Sequence, residues 1–329
     1  MGNLNREWCY LNLADGIKDI PEYEWYGITY QNATRKSTEA TCKIIKSLYP
    51  ESKIVVGGAG ANHHTIKHAD YIVKGESELD LSEWFNNPTS CDFGYIGNLD
   101  LVKEPYRDES CINRTGIHGS NELSTTIMAT RGCPYNCSFC DKAHGMSSVY
   151  RMRSPEMVIQ EIISLNSTYD IKHVRFVDDC LTCNEAYTIE LCGKLKSVPV
   201  SFICITRADR VNERIMKALA SAGCTQIDFG IESGSQRILD LMNKRTTVEQ
   251  NGKAIQLAKE NGIKVKAFLM MDYPSEFDSD KRKTLEFVDK YKPDMFSLSK
   301  YSSDEYFYPD NNKEWISFKE EIEKLLQVA

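Results

Sequence analysis

The chain has 329 residues, 41% of them hydrophobic, and a net charge of −7 with no long run of either sign. That length supports one large or two ordinary domains with real cores, and the acidic balance gives no electrostatic reason to expect a nucleic-acid backbone as partner. No apolar run is long enough to span a bilayer, residues 1–10 lack the basic-then-apolar layout of a secretory leader, and 12 cysteines suit reduced thiols better than a disulfide framework. The expectation is a cytoplasmic protein without a membrane partner.

Trp25 to Gln31 reads as a short buried strand, and Thr38 to Tyr49 as a helix with Ile44, Ile45 and Leu48 on one face. Lys53 to Gly58 is a second strand ending in glycines. Asp70 to Glu76 is a third, followed by a short helix through Leu79, Leu81 and Trp84. Strands alternating with helices predict a small Rossmann-like α/β domain over residues 1–87, its sheet parallel and doubly wound. His63 and His64 follow Gly57-Gly58-Ala59-Gly60 at a strand's carboxyl end, a position for either a ligand contact or a solvated loop. Residues 88–122 dissolve into polar and charged residues and read as a linker.

From Leu123 to Tyr301 strands and helices alternate regularly. Predicted strands are Ser124–Thr130, His173–Asp178, Val200–Thr206, Thr225–Ile231, Lys264–Met271 and Asp294–Lys300. Helix starts are marked by Ser154-Pro155-Glu156, by Asn212, and by a capping box at Thr247 and Gln250. Gly223 and Gly262 close two of the helices. Residues 302–329 form a tail whose Trp315, Ile316, Phe318, Ile322, Leu325 and Leu326 fall at helical spacing.

The first of these strands runs directly into Arg131-Gly132-Cys133-Pro134-Tyr135-Asn136-Cys137-Ser138-Phe139-Cys140-Asp141. Cys133, Cys137 and Cys140 can be aimed inward at a single iron–sulfur cluster. A cubane usually takes four cysteines, so three leave one iron open. A structural zinc site would want a fourth Cys or His, for which His144 is the nearby residue. Parallel barrels place their chemistry at the carboxyl ends of strands, and there stand Asp178-Asp179, Arg207-Ala208-Asp209, Gly230-Ile231-Glu232-Ser233-Gly234 and Met270-Met271-Asp272. Such acids and arginines also form ordinary ion networks at barrel mouths. Cys180 and Cys183 make a second Cys-x-x-Cys, read as core or surface thiols, a redox pair, or ligands of an auxiliary cluster.

The spacing of the three thiols, the glycine before the first and Phe139 before the last closely resemble the radical S-adenosylmethionine (SAM) superfamily. The resemblance spans about residues 25 to 300. It implies an open, partial (β/α)6 TIM-like barrel, with Cys133, Cys137 and Cys140 on a [4Fe-4S] cluster and SAM on the free iron. It further implies cofactor contacts at Phe139, at Asp178 and Asp179 for the SAM amino group, at Arg207 for its carboxylate or ribose, and at Glu232 and Ser233 beside it. Electrons would come from a reducing partner such as flavodoxin or ferredoxin. Tyr-Gly-Ile-Thr, Val-Gly-Gly and Asp-Tyr-Ile-Val-Lys-Gly-Glu resemble the cobalamin-binding domain that often precedes this core, in a truncated form. The Asp-x-His-x-x-Gly signature of base-off cobalamin binding is missing, although some relatives bind cobalamin without that histidine. Leu99 to Arg107 resembles a segment crossing the barrel mouth, which predicts an ordered linker. Tyr301 to Asn312 stands where relatives carry Pro-Gly-Thr, and no RNA-binding module follows, which weakens an assignment to tRNA methylthiolation. The expected function is reductive cleavage of SAM to a 5′-deoxyadenosyl radical for hydrogen abstraction from an unidentified substrate. The alternatives are a cobalamin-dependent methyltransferase and a non-catalytic iron–sulfur electron carrier.

Overall fold

The structure is a computed structural model that describes residues 20–30, 34–62, 64–105, 107, 112, 123–140, 148–301 and 313–327. The readings of His63, His144 and residues 302–312 fall outside these. The described residues divide into two compact units, one N-terminal and one that begins at the position of Ile112. Among the described residues no helix is long and apolar enough to cross a membrane.

The N-terminal unit is a parallel sheet of β1 (Trp25–Thr29), β2 (Lys53–Gly57), β3 (Tyr71–Lys74) and β4 (Cys91–Asp92), in the order β1-β2-β3-β4. Helix α1 (Arg35–Leu48) joins β1 to β2, and the short α2 (Leu81–Trp84) lies between β3 and β4. The order steps in one direction, so among the described residues the expected doubly wound reversal is not seen. Part of the stretch read as linker supplies the last strand. Trp84 Nε1 donates to Thr89 O at 2.7 Å and Ile96 N donates to Glu76 Oε2 at 2.8 Å, which together draw the chain back alongside β3. Ile54, Val56, Cys42, Ile45 and Tyr30 form the core of this unit.

The second unit is a six-stranded parallel sheet in the order β12-β11-β10-β9-β8-β5. Its strands are β5 (Ser124–Ile127), β8 (His173–Phe176), β9 (Ser201–Arg207), β10 (Cys224–Glu232), β11 (Lys264–Met271) and β12 (Met295–Lys300). A two-stranded antiparallel ribbon, β6 (Thr130–Arg131) with β7 (Arg151–Met152), stands apart from it. The helices are α3 (Pro155–Tyr169), α4 (Glu185–Leu195), α5 (Glu213–Ser221), α6 (Gln236–Leu241), α7 (Val248–Glu260), α8 (Asp278–Tyr291) and α9 (Lys313–Gln327). The capping signals operate as the sequence predicts. Asn212 Oδ1 accepts from Ile215 N at 3.0 Å, Ser154 Oγ accepts from Met157 N at 3.4 Å, and Thr247 and Gln250 close a reciprocal box. Six parallel strands in chain order, curling into a half-barrel, form the partial TIM-like architecture that the family resemblance implies.

Strand alternation divides this sheet into two faces. Val174, Phe176, Phe202, Cys204, Ile227 and Phe229 pack beneath the helices in the main core. Phe176 and Phe202 meet edge to face with ring centroids 5.4 Å apart. Each such buried side chain contributes about 1.5–3 kcal/mol relative to exposure. The intervening residues Arg175, Ile203, Ile205, Arg207, Asp228, Gly230 and Lys266 belong to the opposite, concave face.

Candidate active site

The cysteine loop leaves the sheet where Asp178 pulls it away. Thr130 Oγ1 donates to Asp178 Oδ1 at 2.6 Å, Thr130 N donates to the same oxygen, and Ala129 N donates to Oδ2 at 3.3 Å. This is why the expected strand 124–130 stops at Ile127 and residues 130–131 pair with β7 instead. Gly132 then turns with φ at +86°, and the loop runs under α6 and the residues that follow it. Ser138 N donates to Met242 O at 2.9 Å, Asn243 Nδ2 to Asn136 O at 2.7 Å, and Cys140 N to Cys137 O at 3.1 Å. Cys137 is buried, while Cys133 and Cys140 are half-buried.

A buried cation stands beside the loop. Arg207, only 5% exposed at the end of β9, stacks on Tyr135 with its guanidinium carbon 3.6 Å from the ring centre. It donates from Nε to Asp209 Oδ1 at 2.8 Å, from Nη2 to Lys244 O at 2.6 Å and from Nη1 to Cys137 Sγ at 3.5 Å. Burial pushes the Cys137 thiol up, and Lys244 and Arg207 pull it back toward the thiolate. At the end of β10, Lys244 Nζ donates to Glu232 Oε1 at 2.8 Å inside the protein. A side chain at Gly230 would meet those two charged atoms at 2.7 and 2.8 Å, so the missing Cβ makes room for the pair. Glu232 holds φ at +65°, and Asn243 and Arg245, on either side of Lys244, hold +49° and +56°. Non-glycine residues in this region cost on the order of 1–3 kcal/mol each and cluster at functional sites. Phe139 packs against Ile238, Met242, Met270 and Tyr273 in a small separate core, with Lys244 Nζ 5.6 Å from its ring centre.

The structure therefore brings Cys137, Phe139, Arg207 and Glu232 to one end of the barrel, and it uses two of the other expected contacts differently. Asp178 is 2% exposed, and its carboxylate is occupied by Ala129 and Thr130, so it shapes the loop from behind. Burial raises its pKa to about 6. Ser233 is fully buried, bonds Thr284 Oγ1 at 3.2 Å and accepts from Ser235 N at 3.1 Å, which anchors the β10–α6 turn on α8. Asp179 is half-buried at the end of β8. Cys183 lies beside Cys133 and Cys180, and Cys180 is wholly buried against Thr206. Its sulfur neighbours and burial raise the pKa of Cys183, and the proximity of Cys183 lowers that of Cys180. The second Cys-x-x-Cys thus lies against the first thiol of the loop.

Lys244 and Tyr135 carried no signal in the sequence. A lysine between two ordinary polar residues does not show that its neighbours will take left-handed conformations and turn it inward.

The donor set fits an iron–sulfur cluster. Three thiols sit on one pinned loop, and a buried guanidinium stabilises negative charge on sulfur. Among the described residues no three His, Cys, Asp or Glu side chains converge as a single metal ion requires. A cubane instead takes each thiolate on a different iron. The fit of the N-terminal unit to a corrin is poor at its glycine run. Gly58 has φ at +97°, and a Cβ there would lie 2.5 Å from Thr29 Oγ1 and 2.8 Å from Tyr30 O. Tyr30 is buried, and its hydroxyl lies 2.6 Å from Gly60 O and 2.9 Å from His64 O. Protein atoms thus crowd Gly58 at the end of β2.

A parallel half-barrel with a three-cysteine loop after its first strand and buried charges at its strand ends defines an iron–sulfur enzyme of the barrel class. A sequence profile of the radical SAM superfamily matches residues 127–288, so the chain carries a radical SAM domain over its barrel. The superfamily's [4Fe-4S] cluster and SAM are its cofactors. An uncharacterized methyltransferase of Pyrococcus horikoshii is 28% identical over 309 residues, covering 85% of this chain and 67% of the relative. An anaerobic magnesium-protoporphyrin IX monomethyl ester cyclase of Rubrivivax gelatinosus is 32% identical over 176 residues, covering 52% of this chain and 32% of the relative. The fold is similar to the radical SAM methyltransferase TsrM from Kitasatospora setae, solved with tryptophan and a SAM analogue, at a TM-score of 0.65 and 17% identity. That match covers 84% of this chain and 62% of TsrM. The cobalamin-dependent SAM radical enzyme OxsB matches at a TM-score of 0.58 and 21% identity, over 91% of this chain and 48% of OxsB. The chain thus spans about two-thirds of the Pyrococcus relative and less of the others.

Proposed function

We propose that Cys133, Cys137 and Cys140 bind the [4Fe-4S] cluster and that the enzyme reductively cleaves SAM in order to abstract hydrogen from a substrate held in the barrel. When bound, the cluster and SAM supply the electron and the 5′-deoxyadenosyl radical. The rest is the work of the chain's own residues. Arg207 offsets charge on Cys137 and clamps Tyr135, Asn136 and Asn243 are hydrogen-bonded to hold the loop, and Phe139 with Met242, Met270 and Tyr273 excludes water beside it. The Glu232–Lys244 pair presents a buried carboxylate at the same strand ends for a polar group of the cofactor. The observation that carries this reading is Arg207 on Cys137, a buried cation placed on a cluster thiol. Anaerobically reconstituted protein, given dithionite and SAM, is expected to release 5′-deoxyadenosine by chromatography. Intact SAM after prolonged incubation would refute the reading.

A second reading, methyl transfer, is favoured by the Pyrococcus relative and TsrM, both named methyltransferases. It predicts that hydroxocobalamin stays with the protein through desalting. At Gly58 and Tyr30 the turn is packed by the protein's own atoms, which leaves no room for a corrin at that point.

A further inference from the structure

On the concave face of the barrel, Arg175 of β8 reaches across β9 to Asp228 of β10, with Nη2 2.8 Å from Oδ2. Asp228 is 0% exposed, and its other oxygen accepts from Gln226 Nε2, so both of its oxygens are satisfied. Arg175 itself keeps 32% of its side chain accessible. Strand register sets Lys266 directly beside Asp228 and Phe268 directly beside Gly230. Arg207 pairs with Gly230 from the other side, so Lys266 and Asp228 lie one rung below the Arg207 level, roughly 6–7 Å along the strands. Lys266 is half-buried, its Nζ 5.5 Å from the Phe268 ring centre, and no carboxylate pairs with it among the described residues. One acid, already paired with Arg175, thus stands beside a second cation, leaving a net positive charge on a wall that also carries Ile203, Ile205 and Phe268. A second observation points the same way. Gln226 is 1% exposed, shares this face by alternation, and its Oε1 has no hydrogen-bond partner. A buried carbonyl left unpaired is costly, so it is a ready acceptor for a hydroxyl or N–H of whatever enters.

We infer that this rung is the substrate-anchoring site, and that the substrate carries an oxyanion, a carboxylate or a phosphoryl group, on an apolar body. The oxyanion lies between Arg175 and Lys266, Phe268 and Ile205 line the body, and Gln226 Oε1 takes a neighbouring donor. Asp228 is a positioning residue that holds Arg175 in one orientation. This assignment rests on the barrel being the place where substrate meets the cofactor, and it names the class of substrate.

The test uses fluorine NMR on the full, anaerobically reconstituted chain with SAM present. The probes are 4-fluorobenzoate, 4-fluorophenylphosphonate and the neutral 4-fluorobenzamide. At least one anion should broaden on binding while the amide does not. Lys266→Met should weaken that binding at least tenfold, and the charge-balanced pair Arg175→Gln with Asp228→Asn, which leaves no buried acid uncompensated, should abolish it. Lys264→Gln, at the exposed start of β11, should leave it unchanged. Equal binding of the amide, no binding of any probe, or anion binding that survives both the Lys266 and the paired variants would overturn the assignment. Formation of 5′-deoxyadenosine is read on the same wild-type preparation. If it is missing while the anions bind as expected, the cleavage reading fails and the anion site stands.

Discussion

At the end of β2, Gly58 lets the chain fall against Thr29 and Tyr30, and the Tyr30 hydroxyl caps the turn on Gly60 and His64. At the ends of β9 and β10 the backbone instead turns through left-handed Glu232, Asn243 and Arg245 and buries Arg207, Lys244 and Glu232 beside a thiol loop. Both sheets are parallel, and both place irregular chain beyond their carboxyl edges. One edge is satisfied by neutral hydrogen bonds and close packing. The other holds desolvated charges and strained backbone, which persist only where surrounding structure over-determines them. Position at a strand's carboxyl end makes a residue available for chemistry, and buried charge pairs with strained backbone distinguish the edge proposed as the active site.

The sharpest way to break this contrast is at the thiols. Replacing Cys133, Cys137 or Cys140 singly with alanine should drop bound iron, cluster absorbance and 5′-deoxyadenosine to the level of cluster-free protein, whereas Gly58→Ala should leave iron content unchanged. A Cys variant that keeps its spectrum would dissolve the distinction.

Next in size is Glu232→Gln, which strands the buried Lys244. Breaking a buried pair on one side costs about 3–5 kcal/mol, and chemical denaturation should show it. The added Lys244→Met should recover much of the loss, because the uncompensated charge is then gone.

Asp178 sharpens the comparison through pH. Burial raises its carboxyl from an ordinary 3.8 to about 6 in the folded protein. Across that window the folded state holds a proton that the unfolded state has released, so stability falls as pH rises from 3.8 to about 6 and levels off above it. The shift corresponds to about 3 kcal/mol. Denaturation of the protein before cluster loading should show that slope, and Asp178→Asn should flatten it.

The smallest effect belongs to the packed edge. Gly58→Ala must adopt a positive φ and displace Thr29 or Tyr30, a loss of about 1–3 kcal/mol by denaturation.

Local signals carried much of the architecture. Ser154, Asn212 and Thr247 cap the helices they announce, because a cap needs only a side-chain oxygen two or three residues from an orphan N–H. The six barrel strands were legible from alternation of strand and helix patterns. The four-stranded N-terminal order was less so, since β4 is two residues long and is held by Trp84 and Glu76, contacts that no periodicity reveals.

The amino-acid order by itself determined that three thiols share one loop, that the loop follows a barrel strand, and that acids and an arginine fall at strand ends, because spacing and alternation are local properties. Only the tertiary structure decided which of these face inward together. Asp178 turned to hold Thr130, Ser233 turned to hold α8, Lys244, which had no motif to mark it, came to rest against Glu232, and Cys183 of the second Cys-x-x-Cys came to rest beside Cys133. Burial and long-range hydrogen bonds settle where a side chain points, and they form between residues that are remote in the chain.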